Sequence, residues 1–150
     1  MKGAFFHVYY HTRCYFDETA EKCEVKQVGS YEVVADIYTM CHVMTRHYYP
    51  LMNNRGIGGS LNEDIGCIDI ANIPQSVLEL VEKFSRVCPL TVSTEYLLFL
   101  IEGEHYILWL RFDGGKFYIR SFYKCEMDYD LKKYEGKNEV VIESGLSAVI

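Results

Sequence analysis

The sequence predicts an α+β fold in which an antiparallel β meander in the C-terminal half packs with two amphipathic helices. Residues 96–123 hold three apolar and aromatic runs joined by Glu102-Gly103-Glu104 and Asp113-Gly114-Gly115, short Gly-bearing connections of the hairpin kind. Two stretches before them repeat their apolar residues with helical spacing. With 150 residues, no internal repeat and no low-complexity linker, one domain over residues 1–150 is expected.

The elements follow in chain order. Residues 3–11, Gly-Ala-Phe-Phe-His-Val-Tyr-Tyr-His, are aromatic and β-branched without a helical stripe and read as an opening strand. Residues 23–28 alternate and read as a second, short strand. From Ser30 the period changes: Val34, Ile37, Cys41, Met44 and Tyr48 recur three and four apart, Ser30 suits the N-cap, and Pro50 blocks continuation, so a helix is predicted to about residue 47. Residues 53–64 are rich in Gly, Asn and Ser and read as a long loop.

A second helix is predicted over 73–87, with Asn72 as cap, Pro74 in the first turn and a stripe of Val77, Val81, Phe84 and Cys88. Strands follow at 96–101, 105–112 and 116–123, and Trp109 is expected to be largely buried in the central one. Residues 140–142 add an edge strand.

The formal charge of −6 removes the basic footprint that nucleic-acid phosphate or an anionic membrane surface requires. A protein partner with a basic surface is the better match; a nucleic-acid-binding protein is one such partner. No apolar run reaches the roughly 18 residues of a membrane span, and residues 1–11 lack the pattern of a secretory leader, so a cytoplasmic location is expected. The six cysteines are scattered singly without a CxxC pair, which predicts reduced thiols.

No metal or cofactor is expected. His7 and His11 on a strand stand about 13 Å apart, too far to share an ion. Cys41, His42 and His47 on a helix lack the three- or four-residue spacing of a chelate. Arg55, Gly56, Gly58 and Gly59 form a candidate ligand loop, since consecutive N–H groups in Gly-rich turns can cradle an anion. That loop lacks the GK[ST] ending of a P-loop.

The run from Leu97 to Ser121 places a strand, a turn, His105 opening the next strand, a Gly-bearing hairpin and a further strand in that order. With the helix, Gly-Gly-Ser loop and second helix before it, residues 23–123 resemble compact papain-like cysteine peptidases of the bacteriocin-processing type. The resemblance implies a nucleophilic Cys at the start of the first helix, His105 as its base, and an Asp or Asn orienting the His from the strand after the hairpin. Here the first position reads Gly29-Ser30 with Cys23 the nearest thiol, and the last falls near Ser121. Cys23, Ser30, His105 and Ser121 are thus the catalytic candidates of a hydrolase, or the remnants of one in an inactive relative.

Because that set is incomplete, the leading expectation is a non-catalytic, acidic protein-binding factor, of the inhibitor or immunity type. Its candidate contacts are Glu126, Asp128 and Asp130, which in an extended segment share one face at intervals of about 6.6 Å. Thirteen tyrosines supply further interface anchors.

Overall fold

A computed structural model of the chain describes residues 23–36, 73–125, 131–132 and 134–150. These form β1 (Cys23–Val28), β2 (Tyr31–Asp36), α1 (Ile73–Ser85), β3 (Tyr96–Ile101), β4 (Glu104–Asp113), β5 (Lys116–Lys124), β6 (Glu139–Glu143) and β7 (Leu146–Val149). The strands make one sheet in the order β1-β2-β5-β4-β3-β7-β6. All neighbours are antiparallel except β2 and β5, which pair in parallel through Glu32–Lys116, Val33–Phe117 and Val34–Tyr118.

The predicted meander is present as β3-β4-β5. Its second turn, Gly114-Gly115, has φ of 56° and 85°, the positive pair that a two-residue hairpin needs to match strand twist and that glycine adopts without a Cβ clash. The edge strand expected at 140–142 is β6. Beside it lies β7, Leu-Ser-Ala-Val, which is too short and too mixed to announce itself; it slots between β3 and β6 and buries Leu146 and Ala148.

Two features of the expected fold are corrected. The described residues are mostly sheet with one amphipathic helix, not two, and the sheet is mixed rather than a simple antiparallel meander. The first predicted helix begins instead as strand β2, with Ser30 in the β1–β2 turn and not at an N-cap. Adjacent β-branched Val33 and Val34 favour extended backbone. Tyr31, Val33 and Ala35 turn toward the helix side, while Val34 is buried on the other face. Pairing on both sides, with β1 and β5, then outweighs the three-and-four spacing. Residues 37–47 of that helix, and the opening strand at 3–11, lie outside the described residues.

Helix α1 keeps the predicted start and apolar stripe and ends two residues before the predicted 87; Asn72, its predicted cap, lies outside the described residues. Val77, Leu78, Leu80, Val81 and Phe84 are buried against one sheet face, and the Phe84 ring meets Phe99 edge-on at 5.8 Å. Its exposed flank is tied to both outer strands: Lys26 of β1 pairs with Glu82 at 3.1 Å, and Lys83 pairs with Glu143 of β6 at 2.6 Å. Such exposed pairs orient the helix more than they stabilise it. Tyr31 seals the end of this core edge-on against Phe112 and Phe117.

The other sheet face carries a smaller cluster of Leu98, Ile107 and Cys125, with Tyr123, Leu131, Tyr134 and Val149 against it. A bulge in the β4–β5 ladder pairs Trp109 with Ser121 but Leu110 with Ile119, leaving Arg120 as the extra residue. The bulge lets both Ile119 and Phe122 face α1, where Phe122 stacks on Tyr106 at 5.4 Å. Among the described residues, no helix is long and apolar enough to cross a membrane.

Candidate functional site

Strand direction sorts the exposed chemistry to two ends of the sheet. At the first end lie the β3–β4 turn, Glu102-Gly103, and the β6–β7 turn, Ser144-Gly145, joined by the Glu102 N–H donating to the Gly145 carbonyl at 2.9 Å. Glu102 has φ of 48°, the one described non-glycine residue in the left-handed region. Gly145 has φ of 76°, and a Cβ there would overlap the Glu102 carboxylate, so that carboxylate packs over the bare Gly145 backbone.

Three acids are spread along this end, with Glu104 on β4 and Glu143 on β6 three strand positions or about 14 Å apart. Glu104 pairs with Lys124 at 3.4 Å and Glu143 with Lys83, whereas Glu102 has no ion-pair partner among the described residues. Strand β5 leaves the sheet here through Cys125, directly before Glu126 in the chain. Glu126, Asp128 and Asp130 themselves lie outside the described residues, as do Arg55, Gly56, Gly58 and Gly59 of the predicted ligand loop.

The opposite end holds a cleft of about 460 Å³ lined by the turn Val92-Ser93-Thr94-Glu95 and by Trp109 to Phe112 of β4. The turn is held by hydroxyls: the Thr91 N–H donates to Thr94 Oγ1 at 2.9 Å, and Thr91 Oγ1 lies 2.9 Å from Ser93 Oγ. Tyr96, cross-strand from Trp109, stacks on it with 6.2 Å between centroids and 15° between planes. Trp109 sits in the central strand with most of its surface covered, as expected, and its Nε1–H is buried with no acceptor among the described residues. Arg111 is exposed and makes no ion pair among the described residues.

The catalytic candidates are dispersed. Cys23 opens β1, three strand positions or about 14 Å across the sheet from β4, where His105 sits. Ser30, in the turn before β2, lies at the end where Glu32 meets Lys116, the far end of β4 from His105. Ser121 is opposite Trp109, four residues or about 13 Å along the ladder from His105. None of these spacings permits the hydrogen-bonded nucleophile–base contact that acyl transfer uses.

The thiol beside His105 is instead Cys125, whose N–H donates to the His105 carbonyl at 2.8 Å. The bulge makes this neighbour: counted outward from Gly114-Gly115 without it, His105 would face Lys124. Cys125 is buried in the smaller cluster, and Cys23, Cys88 and Cys125 form no disulfide among the described residues. Among the described residues no group of three or more His, Cys, Asp and Glu is placed to hold a metal.

A further ion pair joins the parallel strands, where Lys116 Nζ lies 2.7 Å from Glu32 Oε2. The hydrogen bond and charge of Glu32 hold the Lys116 ammonium above its ordinary pKa. Comparison of the chain with protein-family models, curated proteins and solved structures finds no match.

Proposed function

We propose that this chain is a non-catalytic, acidic protein-binding factor that engages a basic partner surface through the end of the sheet bearing Glu102, Glu104 and Glu143. The observation that carries the reading is Glu102. Asn or Gly fits the left-handed position at the head of a two-residue hairpin with less strain, yet a glutamate occupies it, without an ion-pair partner among the described residues and packed on Gly145. Strain held at an exposed acidic tip is accounted for by a task outside the fold. The exit of β5 beside that tip brings the chain to Glu126, Asp128 and Asp130, which extend the acidic character in sequence. The separation of Cys23, Ser30 and Ser121 from His105 supports a binding role over the papain-like alternative.

The test is affinity capture from the native cell with the wild-type chain beside two variants. One carries Glu102→Gln and Glu104→Gln; the other replaces Glu126, Asp128 and Asp130 by Gln or Asn. A basic protein held by the wild type should bind the first variant more weakly and with a shallower salt dependence. Equal affinity and equal salt slope for both variants would sink the proposal.

A further inference from the structure

Strand β6 is the last in the sheet, and β7 is its one neighbour among the described strands. The Asn138 N–H donates to the Ile150 carbonyl at 2.8 Å, and the Ile150 N–H donates to the Asn138 carbonyl at 2.9 Å. In an antiparallel ladder such mutually bonded pairs recur at every second residue. Asn138 and Val140 therefore turn their backbone groups toward β7, and Glu139 and Val141 turn theirs away from the sheet. Among the described residues no hydrogen bond takes up those outward groups.

The side chains at this edge suit an added strand as well. Glu139 and Val141 share one face; Val141 is 70% exposed, and Glu139 is exposed with no ion pair among the described residues. Edge strands are commonly blunted by lysine, proline or a bulge, and residues 138–141 carry none of these. The bulge of the β6–β7 ladder lies beyond Val141, next to the turn. Glu139 is the single charge on residues 138–142, and its sign repels a second copy while attracting a basic strand. Two copies paired about Val141 would set Glu139 against Glu143, and each brings a net charge of −6.

We propose that β6 accepts an extended, basic segment of a protein partner as an added strand, with Lys or Arg opposite Glu139 and an apolar residue, two positions along, opposite Val141. The inference rests on the protein-binding reading and names the chemistry of the segment bound. Main-chain bonds to residues 139 and 141 supply affinity, and the two-residue spacing of cation and apolar side chain supplies selectivity. Strand β6 runs into the Ser144-Gly145 turn, so the same segment reaches the acidic end of the sheet.

The probe is acetyl-Thr-Lys-Thr-Val-Thr-Lys-Thr-amide, whose Lys–Val spacing is the same in either strand direction, titrated into the isotope-labelled full chain and followed by NMR. Saturable shifts of the Glu139 and Val141 amides should give a dissociation constant of about 1 mM or tighter. Those two amides should gain protection from hydrogen exchange, while that of Val140, already bonded to β7, stays unchanged. With glutamate in place of both lysines the peptide should bind at least about tenfold more weakly, and Glu139→Lys should reverse that order. Val141→Pro removes an outward N–H at an edge position that tolerates proline, and should weaken the basic peptide at least about tenfold. If circular dichroism shows that this variant unfolds, Glu139→Lys, an exposed change, still decides the question. Shifts confined to other residues, equal binding of the glutamate peptide, no response to Glu139→Lys, or a wild-type dimer by light scattering would overturn the proposal. A basic partner captured equally by wild type and Val141→Pro sinks the edge alone. A wild type that captures none sinks the protein-binding reading, and the peptide titration still judges the edge.

Discussion

Replacing Glu102 by Asn should make the protein more stable, although it removes a residue that the proposed function uses. Glu102 and Gly103 have φ of 48° and 82°, the geometry of a type I′ turn, for which Asn-Gly is the preferred pair. A non-glycine residue held left-handed costs about 1–2 kcal/mol, of which Asn recovers part through its tolerance of that region, so a gain of about 0.5–1 kcal/mol is expected. The backbone bond from residue 102 to the Gly145 carbonyl is unaffected by the side chain. For a chain of this size the gain is an increase of roughly 1–4 °C in melting temperature.

Urea unfolding followed by Trp109 fluorescence, with thermal melts, measures it. A cycle with Gly145→Ala sharpens the test. In the wild type that substitution meets both a φ of 76° and the Glu102 carboxylate, but in the Asn background only the first, so the costs should differ by about 0.5 kcal/mol or more. An Asn variant that melts below the wild type would refute the reasoning: the Glu102 carboxylate would then stabilise the Ser144–Gly145 turn by more than its backbone costs.

Other substitutions probe the remaining parts of the account. Trp109→Phe should change stability by less than about 1 kcal/mol, because the lost Nε1–H has no acceptor, whereas Trp109→Ala should cost about 3 kcal/mol in a urea titration read by circular dichroism. Phe99→Ala, which removes a fully buried ring from the face under α1, should cost about 3–5 kcal/mol by the same measure. Because the folded-state pKa of Lys116 is raised from 10.5, the stabilisation it draws from Glu32 is present below that pH and is lost as pH rises through the higher folded value. The melting difference between wild type and Glu32→Gln should therefore hold steady from neutral into mildly alkaline solution and shrink beyond it, and a difference that stays constant at high pH would contradict the pairing. Thiol titration of the denatured, unreduced chain should count six free thiols, and a lower count would overturn the reduced state expected from the sequence.

Elements whose signal is local were legible in the sequence. Helix α1 has its proline, its apolar stripe and its flanking polar residues within one short window, and the β3-β4-β5 meander has Gly-bearing turns between runs of unmistakably extended character. The acidic balance and the single spacing of the cysteines were likewise plain, and they framed the binding proposal. Residues 31–36 carry an ambiguous local signal, because Val34 supports both periods. A helical stripe and an alternating strand share that residue, and the decision came from two neighbours distant in the chain, β1 on one side and Phe117 and Tyr118 of β5 on the other.

The candidate sites depended on such long-range choices even more. Nothing around Arg120 marks a bulge, yet that one extra residue shifts the β4–β5 ladder so that His105 meets Cys125, and Trp109 faces Ser121. Nothing near Glu102 announces Gly145, because the two turns become neighbours only when β7 inserts beside β3. Local hydrogen bonding and side-chain periodicity are written residue by residue, and the sequence by itself determined the elements that rest on them. Register, strand order and the meeting of loops depend on which apolar faces can be buried together, and those only the tertiary structure decided.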